Sequence, residues 1–565
     1  MLPDWVAGLL EFALLVAALA ASWKFLGDYM ARVFSSTRHS RVERGVYRAM
    51  GVDPDADQRW ATYLRSLLAF SVLGVLLLYV FQRVQTHLPL SGGMAAVSPA
   101  VAFNTAASFV TNTNWQSYSG ESTMSVLTQA TGLTVQNFLS AAVGIAAAIA
   151  LVRGFIRSRT DRLGNFWVDM TRAMLRILLP IAIIGAVVLL ALGVVQNLHA
   201  FTDVTSLAGH KQSLPGGLIA SQEAIKDLGN NGGGPYNANS AHPFENPTAF
   251  SDLFEIYLLL VIPFSLTRTF GTMVKDRRQG FAILATMVSI WVLMITLIDW
   301  AEVSHRGTVP QLVGAALEGK ELRFGVPASS IFAASTTLTS TGSVNSFHDS
   351  FTALGGGGTV FDIVTGEVAP GGVGAGIYGI LNLAVIAVFV AGLMVGRTPE
   401  YLGKKLGARE IKLASLYILT TPIFVLVGAA STIAQKGQLG ALLNSASGNL
   451  AGSKGSQAHG LTEIFYAYAS ASNNNGSAFA GLTVTDRWYQ ITLGLCMLLA
   501  RFLPIIFAVA LGGSLARQAR VPETTGTLPT HGPLFVGLLL GVVIILIALT
   551  YIPALFLGPL AEGLS

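Results

Sequence analysis

The amino-acid sequence predicts an all-α polytopic membrane protein with ten transmembrane helices, on three observations. The chain of 565 residues is 52% hydrophobic and only 12% charged, with a mean hydropathy of +0.58, whereas soluble domains average about 25% charged residues. Ten apolar runs are long enough to cross a hydrocarbon core about 30 Å thick, which takes about 20 helical residues. Between those runs lie four short stretches rich in Asn, Thr, Ser and Gly. Bare polar backbone at membrane depth is tolerated only inside protein or along a water-filled cavity.

In chain order the spans fall near residues 5–29, 62–85, 124–152, 173–196, 249–269, 280–300, 374–396, 411–433, 488–514 and 533–557. Leu15–Ser22 imitates a leader-peptide cleavage site, but no basic segment precedes it and Asp4 and Glu11 are acidic, so the first run is read as a retained helix. Basic residues orient the spans. One set of connections is rich in them, from Arg32 to Arg59, Arg153 to Arg176, Arg268 to Arg278, Arg397 to Lys412, and at Arg517 and Arg520. The alternate set holds few, chiefly Lys211, Lys226, Arg306, Lys320, Arg323, Lys436, Lys454 and Arg487. The positive-inside bias makes the first set cytoplasmic and places both termini outside. The net charge of +5 is spread over these loops, which argues against nucleic acid. Cys496, the single cysteine, lies in an apolar run and reads as a small core residue. Thr202–Gly234 and Gly355–Gly376 read as long structureless connections, and Asp299 and Glu302 as solvated helix-end charges.

The four polar stretches are Ser108–Gln116 (SFVTNTNWQ), Leu228–Asn239 (LGNNGGGPYNAN), Ser329–Asp349 (SSIFAASTTLTSTGSVNSFHD) and Ala469–Ser477 (ASASNNNGS). Their cores are roughly 110–135 residues apart, the signature of an internal repeat. Each falls on the outer side, between two spans, so the unit is helix, re-entrant pore helix, filter, helix. The chain then divides into an extra first helix with its cytoplasmic loop (1–60), four pseudo-symmetric repeats (61–160, 161–278, 279–409 and 410–520) and an extra last helix (521–565). Four units can surround one axis, by analogy with a tetrameric channel.

Asn and Gln carry amide oxygens, Thr a hydroxyl, and every residue a carbonyl. Rings of such neutral oxygens can replace the water shell of an alkali cation. Magnesium and calcium sites more often use carboxylates, and none of the four cores carries one. Gly232, Gly233 and Gly234 open backbone conformations closed to other residues, and no Lys follows to make a phosphate loop. The bland readings are a polar surface loop at Thr111–Gln116, a Gly-rich linker at Gly232–Gly234 and an ordinary turn at Asn473–Gly476. Recurrence and apolar flanks, including the helical run Glu463–Ala471, favour a filter. Arg501 stands inside an apolar span and is read as facing a cavity or an acidic partner. His242 and His348 lack metal-ligand spacing. The sequence has no GxxxxGK[ST], HExxH, GxSxG or Asp-Lys-Thr-Gly motif, so it is read as no ATPase by itself.

Six strings carry a family resemblance: VTNTNWQSYSGE (Val110–Glu121), GGGPYNANSAHPFENPT (Gly232–Thr248), STTLTSTGSVNSFHDS (Ser335–Ser350), GRTPEYLGKK (Gly396–Lys405), SNNNGSAFAGL (Ser472–Leu482) and GTLPTHGPLFVGLL (Gly526–Leu539). With them nearly the whole chain resembles the KdpA family, the potassium-binding A subunits of bacterial Kdp potassium-transporting ATPases, itself similar to the Trk, Ktr and HKT potassium transporters. The resemblance implies a multi-pass protein of the bacterial inner membrane, K+ as the transported ion and no organic cofactor. It implies partnership with the B, C and F subunits of the Kdp complex, of which B is a P-type ATPase and F is very small. In the family, potassium passes from the filter along a tunnel to that ATPase. By motif, the filter falls on Thr111, Asn112, Thr113, Asn114 and Gln116, on Asn231, Gly232 and Gly233, on Ser340, Thr341, Gly342 and Ser343, and on Asn473, Asn474, Asn475 and Gly476. Glu367 and Arg501 match residues of the family's cavity and tunnel. Two departures are Pro235-Tyr236, where two aromatic residues are expected, and Thr341 before Gly342, where some members carry Cys. The competing readings are a self-sufficient Trk- or Ktr-like channel or symporter, and a polytopic membrane enzyme. The enzyme would need acid–base or metal clusters at membrane depth, which the sequence does not suggest.

Overall fold

Ten helices of the computed structural model are long and apolar enough to cross a membrane: Trp5–Ser35, Trp60–Arg83, Thr128–Ile156, Phe166–Ala191, Ala249–Met273, Arg277–Ser304, Ala375–Met394, Ala408–Ile433, Arg487–Arg517 and Pro533–Leu560. The structure describes residues 4–304, 317–365, 368–442, 459–522, 524 and 526–564. Among the described residues strand is confined to three short antiparallel pairs, the longest joining Phe201–Thr205 to Lys211–Pro215.

Burial alternates along the chain. The most apolar stretches of the third, fifth, seventh and ninth spans are 83, 72, 72 and 61% buried, against 22, 33, 50 and 28% for the second, fourth, sixth and eighth. Each hairpin thus contributes one outer and one interior helix, and an interior helix can be apolar all round. Small residues let the interior helices touch. A Cβ on Gly154 of the third span would lie 2.5 Å from Gly512 Cα of the ninth.

Ion pairs fix one end of the bundle. Arg268 of the fifth span holds Asp28 of the first through two bonds, of 2.8 and 2.9 Å. Arg153 donates to Asp169 at 2.5 and 2.8 Å. Arg176 grips Glu43 of the short helix Arg41–Met50. Burial raises the Glu43 pKa, but the hydrogen bonds from Arg176 and Ser40 N together with the charges of Arg176 and Arg172 outweigh it, and the carboxyl ends below its usual range. These pairs explain a boundary. The fourth span begins at Phe166, not near 173, because Asn165 caps Trp167 N at 3.1 Å and Asp169 is neutralised by Arg153.

Several loop expectations are corrected. Within Gly355–Gly376, Ala353–Thr365 is an α-helix. Its glycines allow close packing on several sides: a Cβ on Gly356, Gly357 or Gly358 would stand 3.0 Å from Phe479 Cζ, 2.8 Å from Pro559 Cβ or 2.7 Å from Ile298 Cγ1. Tertiary packing here overrides the poor helix propensity of glycine. Thr202–Gly234 likewise holds the hairpin and the helix Ile219–Leu228. Glu302 is not solvated; it is fully buried with Lys320 Nζ at 2.7 Å. Lys226 is fully buried too. Arg306 and Lys454 lie outside the described residues. Cys496 is buried and free, as read.

Candidate cation-binding site

Four short helices end inside the bundle: Pro99–Val110, Ile219–Leu228, Gly325–Leu338 and Gly460–Ser472. The first starts on a proline preset for the first helical turn. All four end alike. One residue closes the helix (Thr111, Gly229, Thr339 or Asn473), and the next takes the left-handed conformation: Asn112 at φ 71°, and Asn230, Ser340 and Asn474 each at 52°. The third residue then donates its N–H back five residues: Thr113 to Ser108 O, Asn231 to Lys226 O and Thr341 to Thr336 O at 3.0 Å, and Asn475 to Ser470 O at 2.9 Å. This is the helix end in which a left-handed residue, often Asn, turns the chain and satisfies orphan carbonyls.

The four ends meet. A Cβ on Gly232 would lie 2.7 Å from Thr113 O, 2.9 Å from Thr341 O and 3.1 Å from Asn475 O, so one carbonyl from each of the other segments closes on this glycine. Gly342 and Gly476, at φ 83° and 108°, are equally hemmed in by the carbonyls of Asn475 and Thr113. Every short helix points its C-terminal end, the negative pole of its dipole, at this convergence. The arrangement is a cage of uncharged oxygens at four partial negative ends, which favours a monovalent cation stripped of water.

The hydrogen-bond register aligns the four segments. Gly229–Gly232 and Thr339–Gly342 are the counterparts of Thr111–Asn114 and Asn473–Gly476. The motif-based set leaves out Gly229, Asn230 and Thr339, which hold the equivalent positions in this register. The left-handed Asn or Ser was the signal that could have set it. Gly233 sits just past the cage, where a Cβ would lie 2.8 Å from Phe109 Cζ. Ser343 Oγ lies 2.9 Å from Ser240 Oγ.

Gln116 and Asn114 carry their amides into the scaffold. Gln116 Nε2 donates to Gly234 O at 2.9 Å while its Oε1 accepts from Gly234 N at 3.2 Å, clasping the first segment to the second. Asn114 Nδ2 donates to Asn137 Oδ1 at 2.6 Å. Tyr236, where the second aromatic residue was expected, stacks on His242 with centroids 3.9 Å apart. Arg501 is buried, its Nη2 3.3 Å from where a Cβ on Gly144 would stand, beside Val373. Glu367 lies outside the described residues.

Sequence reasoning also missed the buried charges behind the second segment. Lys226 Nζ donates to Glu223 at 2.5 Å, Glu245 at 3.3 Å and Asn239 Oδ1 at 2.9 Å, and Asn239 Nδ2 donates to Gly232 O at 2.7 Å. Asp227 and Glu255 lie with Glu223, their carboxylate oxygens within 4.8 Å of one another.

A "Potassium Transporter TrkH" from Vibrio parahaemolyticus shares the fold, at a TM-score of 0.53 and 14% identity, over 89% of this chain and 96% of that one. The "Potassium-transporting ATPase potassium-binding subunit" of Streptomyces coelicolor is 58% identical over 560 residues, 99% of each chain. The protein of that description from Clavibacter michiganensis subsp. michiganensis is 59% identical over 562 residues, the whole of both. The family model described as "Potassium-transporting ATPase A subunit" matches residues 13–564, and the chain belongs to that family, KdpA.

Proposed function

We propose that this chain is the potassium-binding and selecting subunit of an ATP-driven uptake complex, and that potassium binds where the four short helices converge. The observation that carries the reading is the closure of Thr113, Thr341 and Asn475 carbonyls on Gly232. Potassium is the cargo, and the potassium-binding description of relatives alike over their full length supports it. The cage residues are Thr111–Asn114, Gly229–Gly232, Thr339–Gly342 and Asn473–Gly476, with Gln116, Gly233 and Ser343 as its outer rim. The common register of hydrogen bonds supports four repeats within 61–160, 161–278, 279–409 and 410–520, flanked by extra helices in 1–60 and 521–565. The chain supplies no ATP chemistry. The P-type ATPase of the complex, its B component, does, and the C and small F components complete the assembly. By the family resemblance Glu367 and Arg501 are assigned to the cavity or tunnel that leads to the ATPase, and the chain sits in the bacterial inner membrane with both termini outside, consistent with the arginine-rich connections at the opposite side. The TrkH likeness leaves a self-sufficient channel or symporter as the second reading. Co-purification of a phosphorylatable subunit, against gradient-driven uptake by this chain alone, separates the two.

Gly232→Asp tests the site. The carboxylate must enter a space bounded by three carbonyl oxygens, and like partial charges repel it. Potassium half-saturation of the complex's ATP hydrolysis is expected to weaken at least a hundredfold, about 2.8 kcal/mol at about 1.4 kcal/mol per decade, with poorer rejection of other cations. Unchanged ion kinetics in the assembled variant would remove the site from this segment.

A further inference from the structure

The cage carbonyls are backbone atoms, and nothing within one segment fixes their distance from the opposite segment. The spacing must be set from behind. The left-handed residue of each segment faces its neighbour, and three of the four are Asn. Asn230 Nδ2 donates to Thr341 Oγ1 at 2.9 Å, and Asn474 Nδ2 donates to Thr113 Oγ1 at 2.9 Å. The accepting hydroxyls are themselves backed in the same way: Thr341 Oγ1 lies 2.5 Å from Thr339 Oγ1, and Thr113 Oγ1 lies 2.8 Å from Thr111 Oγ1. At the first-to-second junction Asn231 Nδ2 donates to Asn112 Oδ1 at 2.7 Å, and Asn112 Nδ2 donates to Asn230 O at 2.7 Å. Only the third-to-fourth junction differs. Ser340 is too short to reach, its Oγ is buried without a hydrogen bond, and Asn475 Nδ2 instead reaches back to Thr336 O at 3.0 Å.

We infer that these side chains form a closed belt around the cage, and that the belt sets its width and so its preference among monovalent cations. The inference rests on the site proposed above. The asparagines on the belt are therefore positioning residues, acting on the ion through the carbonyls of Thr113, Asn231, Thr341 and Asn475. A buried hydrogen bond across a junction resists widening; a carbonyl ring free to widen loses the fit that separates potassium from larger and smaller ions. The Ser340 junction, joined only through Asn475 Nδ2 and Thr336 O, is where the belt is weakest.

The test uses the full chain in its ATPase complex, with potassium, rubidium and sodium as probes and half-saturation of ATP hydrolysis as readout. Thr341→Val keeps the shape of the side chain and removes the acceptor. Asn230 Nδ2 still donates to Leu259 O at 2.8 Å, so the variant has a route to fold. The ratios of potassium to rubidium and potassium to sodium half-saturation are expected to move about tenfold toward equality, the scale of one lost buried hydrogen bond. Asn230→Ala is expected to do the same, and the double variant no more than either alone, because both break one link. Thr341→Ser, which keeps the hydroxyl, is expected to restore the ratios. Thr113→Val and Asn474→Ala repeat the test at the equivalent junction and decide the matter if Thr341→Val fails to assemble. Unchanged ratios, or a uniform loss of affinity for all three ions, would overturn the belt while leaving the site in place. The site itself stands or falls separately with Gly232→Asp.

Discussion

The second and third segments reach the same backbone by different chemistry. Asn231 N and Thr341 N each donate at 3.0 Å to a carbonyl five residues back. Behind the second segment stand charges: Lys226, Glu223 and Glu245, all with fully buried side chains, and through Asn239 they hold the Gly232 carbonyl. Behind the third stand hydroxyls. Thr339 Oγ1 donates to Ser335 O at 2.7 Å, Thr337 Oγ1 to Ala333 O at 2.6 Å, and Trp291 Nε1 to Ser335 Oγ at 3.0 Å. The direction of the backbone carbonyls is common to both; what holds them is not. A charged backing is brittle, because removing one partner strands another charge in a dry interior. A hydroxyl backing is graded, because each bond is modest and neighbours can share acceptors.

The largest expected effect breaks the brittle side. Lys226→Met keeps the apolar stem but leaves Glu223 and Glu245 without their cation, a change that costs about 3–5 kcal/mol for buried pairs. The variant is expected to lose most of its folded yield in detergent and to unfold far below the parent chain in a thermal melt. A melting midpoint equal to the parent's would mean that the carboxyl groups are held neutral and that the lysine is dispensable. On the graded side, Thr337→Val removes the 3.1 Å hydrogen bond to Asp362, whose other oxygen accepts none. It is expected to cost about 1–3 kcal/mol, the penalty for one unsatisfied buried group. A larger loss from Thr337→Val than from Lys226→Met would reverse the comparison.

The same contrast explains what was legible in the sequence. Ten spans were readable because each is a long apolar run, and the structure places helices at all ten. The four polar stretches were readable because Asn, Thr, Ser and Gly at membrane depth have few structural uses. The register within them was not, since the conformation of Asn230 depends on where the helix before it ends. The buried charges were misread for a different reason. Lys226 and Lys320 count as loop charges in a one-dimensional tally of basic residues, and only their partners in space, Glu223 and Glu302, make burial affordable. The helix Ala353–Thr365 escaped because four glycines in a row argue for a loop until the neighbours that exclude a Cβ are known.

At the rim of the hydroxyl-backed third segment His459 forms an ionisable clamp, and this gives the smallest effect. His459, just before the fourth short helix, is buried. Its Nδ1 lies 3.0 Å from Glu562 Oε2 and its Nε2 3.1 Å from Phe351 O, which follows the third segment. Only the imidazolium can donate from both nitrogens at once. Burial alone would lower the His459 pKa, but the hydrogen bond and charge of Glu562 outweigh it, and the pKa is raised. With the folded value above the unfolded one of about 6.5, the clamp's contribution is complete below about pH 6.5 and is lost as pH rises through the folded pKa. His459→Gln cannot carry the charge. The difference in unfolding midpoint between the parent chain and this variant is therefore expected to be greatest near pH 6 and to shrink toward about pH 9. A difference that stays flat, or grows, across that range would show that His459 is neutral in the folded protein and that its charge adds nothing to the clamp.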